Sequence, residues 1–123
     1  MRPSPPPLTL TPAMASIFTR IINRELPARV FHETDEVIVV ADHRPQAAVH
    51  LLIIPKQEYR NFFETPYEVL EMMSRTAKEI AEKLGIEDHF RVIVNNGYCQ
   101  EIDHVHFHFI SDRGADKLAW IDD

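Results

Sequence analysis

The chain has 123 residues, 45% of them hydrophobic and 26% charged, the composition of a single globular domain large enough to bury its own core. A net charge of −6 with neutral histidines argues against nucleic acid as a partner, because that affinity is built from Lys and Arg on phosphates; a small anion held by local donors stays open. One cysteine, Cys99, excludes an internal disulfide and a Cys-rich zinc site, and no run nears the ~18 apolar residues of a membrane span, so a cytoplasmic protein without a membrane partner is expected.

The opening, MRPSPPPLTLTPAMAS, carries prolines that interrupt any signal-peptide core. Residues 1–14 read as a disordered tail leaning to polyproline II, with a proline-rich docking segment as the rival and Met14 as an alternative start; residues 15–123 form the domain. Ser16 caps a short helix to about Asn23, with Ile17, Phe18, Ile21 and Ile22 as its apolar stripe and Pro27 as its stop. RVFHE, EVIVVAD and VHLLIIP follow as short β-rich runs, broken by TD and HRPQAA in a hairpin-like pattern.

TPYEVLEMMSRTAKEIAEKLG is the clearest helix. Thr65 reads as its N-cap, Pro66 as its first residue and Glu68 as the partner in a capping box. Val69, Met72, Met73, Ile80 and Leu84 supply a side that reads as core rather than cofactor pocket, and Gly85 ends the helix. FRVIVNNG and HVHFHFI give two more strands. Hairpin-linked strands interrupted by one long helix indicate an α+β domain with an antiparallel sheet.

HVHFHFI, His104 to Ile110, alternates imidazoles with large apolar groups. On a strand, Val105, Phe107 and Phe109 share the core face under the long helix, and His104, His106 and His108 share the other. Three readings compete: a solvent-facing strand with histidine at its polar positions, a metal site built on the His-x-His pair, and nucleophilic catalysis at phosphorus. No carboxylate follows at the spacing of common His-x-His metal motifs, so neither a metal nor another cofactor is expected.

The pattern His-φ-His-φ-His-φ-φ, with φ apolar, resembles the histidine triad (HIT) superfamily. Ser16 to Lys56 is similar to the N-terminal half of its Hint branch, and RVIVNNG, Arg91 to Gly97, to the strand before the triad, so the likeness covers roughly residues 16–114. The resemblance implies a five-stranded antiparallel sheet, usually paired into a ten-stranded sheet in a homodimer. It also implies binding of purine nucleoside phosphates and attack on the α-phosphorus of nucleoside phosphoramidates and related adducts. By position, His106 would be the nucleophile, with its second nitrogen held by a backbone carbonyl near His104. His108 would bind phosphate oxygens, and His50 would support the triad from a neighbouring strand, against the plain reading of a core histidine. Asp42 would accept from the ribose hydroxyls, against a role in capping the turn before Pro45. Ile17, Phe18 and Ile22 would form the slot for the base, against simple core packing. Asn95 would stand near the phosphate and leaving group. His32, His43 and His89 have no counterpart and read as surface.

The segment NNGYCQEIDH departs from the family, which has a glycine pair, Gln and then Ser or Thr before the triad. Gln100 is kept, but Glu101 stands where the hydroxyl would meet the phosphate, so a binding or interaction module with weak turnover is the alternative to an enzyme. Asp103 turns to the opposite face by alternation, and Ala41 and His43 flank Asp42 where larger apolar residues are usual. Trp120 is placed for a role across a dimer interface.

Overall fold

The computed structural model describes residues 15–121; the tail expected over 1–14 lies outside them. Helix α1 (Ile17–Ile22) is followed by strands β1 (Val30–Glu33), β2 (Val37–Ala41) and β3 (Val49–Pro55), helix α2 (Tyr67–Leu84), and strands β4 (Arg91–Ile93) and β5 (Phe107–Ser111). The five strands form one sheet in the order β1-β2-β3-β5-β4, with every neighbour antiparallel. The expected α+β class and five-stranded sheet are what the chain adopts.

Strand β3 is buried along its whole length because both faces of the sheet are covered. Val37, Val39, Val49, Leu51, Ile53, Phe107 and Phe109 face α2, whose Met73, Ala77, Ile80, Ala81 and Leu84 recur at helical spacing. Val69 and Met72 pack at the edge of this cluster. Ile38, Val40, Leu52 and Ile54 face the other way, onto Phe18, Ile21 and Ile22 of α1. Helix α1 covers only part of that face. The same face carries His50 and His108, and Phe18 of α1 packs against His104 and His106.

Two ends differ from expectation. Helix α2 is capped by Pro66 at ψ 148°, one residue later than the Thr65 cap; Thr65 donates its hydroxyl to the Asn61 carbonyl at 2.6 Å, so no capping box forms with Glu68. Gly85 does close the helix, at φ 69° where a Cβ would be strained. The second difference is in β5, which begins at Phe107 rather than His104. The ladder with β3 runs only from Val49↔Ser111 to Ile53↔Phe107, and Val105 instead donates its N–H to the Tyr59 carbonyl at 2.7 Å. His104, Val105 and His106 are all buried there without being paired as sheet. Strand β4 is likewise shorter than FRVIVNNG.

At the β1 edge Ile121 donates its N–H to Val30 at 2.7 Å, and Trp120 packs within its own chain on Phe31, with the Arg29 guanidinium 4.2 Å from its ring. Strand β4 is the opposite edge. His32, expected at the surface, is half-buried with Lys83 Nζ at 2.9 Å.

Candidate active site

The antiparallel register sets His50 of β3 opposite Ile110 and Leu52 opposite His108, so His50 and His108 are diagonal neighbours on one face. Their rings meet, His50 Nε2 to His108 Nδ1, at 2.9 Å. The Gln46 backbone N–H donates to His50 Nδ1 at 3.0 Å. A ring nitrogen that accepts carries no proton, so in the neutral ring the proton is on Nε2 and points at His108 Nδ1. His108 is then left with its proton on Nε2 as a donor. Asp42 completes the group: Oδ1 accepts from the Arg44 N–H at 2.8 Å, capping the turn before Pro45, and Oδ2 lies 3.3 Å from His50 Nε2.

His104 and His106 sit beneath α1. His104 is fully buried; Nε2 donates to the Pro55 carbonyl at 2.8 Å, and Nδ1 receives the Ser16 hydroxyl at 2.7 Å. The carbonyl of His104 accepts from His106 Nδ1 at 2.8 Å. That bond fixes the tautomer and leaves the lone pair of His106 on Nε2, the arrangement that the family resemblance implies. The Phe18 ring stands edge-on to His106 with centroids 4.9 Å apart, and the His108 ring is 5.0 Å away.

Burial is the largest influence on all four rings and lowers each pKa. For His106 the His104 carbonyl bond and the charges of Asp42 and Glu101 act in the opposite sense, and for His108 the neighbouring His50 adds to the lowering. The site therefore holds neutral imidazoles, which are nucleophiles and directional donors rather than cations. A consequence for stability follows. Unfolded histidine titrates near 6.5. Below that pH the unfolded chain binds more protons than the folded one, so stability is greatest above it and falls as pH drops. Urea unfolding midpoints are expected to decline between about pH 7 and pH 5; a flat or rising midpoint would contradict buried neutral rings at His104 and its neighbours.

The remaining expected residues divide. Phe18 is 4% exposed and belongs to the second core cluster, Ile22 packs at its margin, and Ile17 is 52% exposed beside them. Asn95 is half-buried two residues past β4, and Glu101 is exposed. Gln100 spends its amide on the loop: Oε1 accepts from Gly97, and Nε2 donates to the Arg60 and Ile102 carbonyls at 2.7 and 2.9 Å. Two residues that the sequence did not mark also reach the site, Gln46 through its backbone and Glu58 behind His104.

Asp42 Oδ2, His50 Nε2 and His108 Nδ1 form a donor triangle with edges of 3.3, 2.9 and 3.9 Å. A tetrahedral zinc ion with ligands at about 2.0–2.1 Å separates its donors by roughly 3.3–3.4 Å. These residues fit such an ion.

The HIT domain family matches residues 23–115. Among curated relatives, a 14 kDa zinc-binding protein of Brassica juncea is 35% identical over 112 residues, covering 85% of this chain and 96% of its own. Adenylylsulfatase HINT1 of Arabidopsis thaliana is 35% identical over 121 residues, covering 92% and 80%. The crystal structure of a HIT family hydrolase from Legionella pneumophila is 31% identical with a TM-score of 0.76, covering 80% of this chain and 94% of that one. Family, sheet and triad agree: the chain belongs to the HIT domain family, whose members bind nucleotides and include hydrolases.

Proposed function

We propose that this protein is a nucleotide hydrolase or transferase that opens a nucleoside phosphoramidate, or a related purine nucleotide adduct, at the α-phosphorus through His106. The observation that carries the reading is the His106 Nδ1–His104 carbonyl bond, which leaves a neutral Nε2 lone pair beside a donor on His108. Nε2 attacks phosphorus, and the bond from phosphorus to the leaving amine breaks with its electron pair going to the amine, which takes a proton from solvent water. The His108 Nε2–H meets the phosphate oxygens as charge gathers, a contribution of roughly 3 kcal/mol for a well-placed donor. Water then attacks phosphorus and loses a proton to solvent, the P–N bond to His106 breaks with its electron pair returning to Nε2, and nucleoside monophosphate leaves. Asp42 Oδ2 serves the ribose hydroxyls, Asn95 the leaving-group side, and Ile17, Phe18 and Ile22 the base, while Gln100 holds the loop beneath. Hydrolysis of a fluorogenic adenosine phosphoramidate by the wild type and by His106→Ala tests this.

Two other readings have an observation behind them. Glu101 is exposed beside the triad and its charge reaches His106 and His108, which favours a nucleotide-binding module with weak turnover. The donor triangle of Asp42, His50 and His108, together with the name of the Brassica relative, favours a bound zinc ion, which would polarise a phosphoryl oxygen there.

A cytoplasmic homodimer completes the proposal. Strand β4 is an outer edge with Val92 41% exposed, and joining two such edges makes the ten-stranded sheet. Sedimentation is expected to give twice the chain mass for the wild type and the single mass for Val92→Asp; a wild-type monomer, or a dimer untouched by the charge, would remove the edge pairing.

A further inference from the structure

Glu58 follows β3 in a loop, and among the described residues its carboxylate makes no hydrogen bond or ion pair with His106 or His108. Its Oε1 accepts from the Ser16 backbone N–H at 2.9 Å and the Thr19 hydroxyl at 2.7 Å, and lies 3.6 Å from His104 Nδ1. Ser16 closes the figure, with its hydroxyl on His104 Nδ1 and its oxygen accepting the Thr19 N–H at 3.0 Å. Burial disfavours the Glu58 carboxylate, yet the bonds from Thr19 and Ser16 and the nearby His104 hold its pKa below the usual range, so it is charged.

Helix α1 has six residues, far below the length that holds together in water. Its position depends on Phe18 in the second core cluster and on these bonds. The nucleophile is anchored by other means: His106 on the His104 carbonyl, His104 Nε2 on Pro55, and the Val105 N–H on Tyr59. The two sets of anchors meet at His104 but use different atoms.

We propose that Glu58 is a positioning residue for ligand binding: through Ser16 and Thr19 it fixes helix α1 so that Phe18 stands against His106 as the wall for the nucleotide base. This rests on the functional reading above. It assigns to a loop carboxylate control of affinity without control of the chemical step. A purely structural role would lower the unfolding midpoint and leave KM alone.

The test compares wild type, Glu58→Ala, Glu58→Gln and Thr19→Val, measuring kcat and KM on the adenosine phosphoramidate and titrating AMP by calorimetry. Glu58→Ala is expected to raise KM and weaken AMP about tenfold, the scale of a lost charge-assisted hydrogen bond, with kcat within about twofold. Gln keeps an oxygen for both donors and is expected to recover affinity to within about threefold. Thr19→Val removes the hydroxyl that donates to Glu58 and lies 3.4 Å from the Ser16 hydroxyl, and is expected to weaken AMP about threefold; it decides the matter where Glu58→Ala does not fold. Unchanged KM in Glu58→Ala, a loss confined to kcat, a Gln variant as poor as Ala, or unaltered AMP binding in Thr19→Val would each overturn the assignment. A wild type that neither binds AMP nor turns over brings down the functional reading and this one together. A wild type that does both while its variants match it brings down only the role of Glu58.

Discussion

His106→Ala is expected to lower turnover of an adenosine phosphoramidate by at least about a thousandfold, since the variant has no group to form the covalent intermediate. AMP affinity is expected to stay within about fivefold, because the ribose and base contacts lie on other elements. The pairing of those results matters more than the first alone. His106 is buried against Phe18, so a loss of both rate and affinity would report damage to packing rather than a missing nucleophile. Rapid quenching of the wild type during turnover is expected to show one nucleotidyl group on the protein, absent in the variant. Chelator treatment is expected to leave the wild-type rate unchanged, as no step calls on an ion. A rate that disappears with chelator and returns with zinc would pass the site to the metal reading at Asp42, His50 and His108. Full activity in His106→Ala would end the assignment of the nucleophile.

The sequence conveyed most of what depends on alternation and little of what depends on distant pairing. Val105, Phe107 and Phe109 were legible as core because a two-residue period puts them on one face, and they do line the cluster under α2. The end of the ladder was not legible. Whether His104 is paired as strand depends on where β3 runs out, at Pro55, nearly fifty residues earlier. Thr65 looks like a cap because Glu68 follows at the right interval, but the turn before it offers the Asn61 carbonyl, which local pattern does not reveal. The site shows the same division. Its histidines announce themselves by spacing. Glu58 is one carboxylate in an unpatterned loop, and its partners on α1 lie 39 and 42 residues away in sequence.

Glu101 sets the second large effect, and it separates an enzyme from a binder. Its carboxylate is exposed, and its charge is felt by both His106 and His108. In water, two unit charges ~4 Å apart exchange about 1 kcal/mol, and exposed pairs seldom exceed that. Glu101→Ser is therefore expected to raise kcat/KM about fivefold on a phosphoramidate with a neutral leaving group. For a leaving group carrying an ammonium, the wild type keeps an attraction that the variant loses, so its preference for that substrate is expected to fall by about the same factor. Both differences are expected to shrink as salt rises, since the Debye length falls from about 8 Å at physiological ionic strength to about 3 Å at 1 M. Glu101→Gln, close in shape but uncharged, is expected to follow Ser. An inert wild type with an active Glu101→Ser variant would identify a binding module whose chemistry the carboxylate suppresses. Identical rates for all three on both substrates, at low and high salt, would mean that the carboxylate stands clear of the reacting groups.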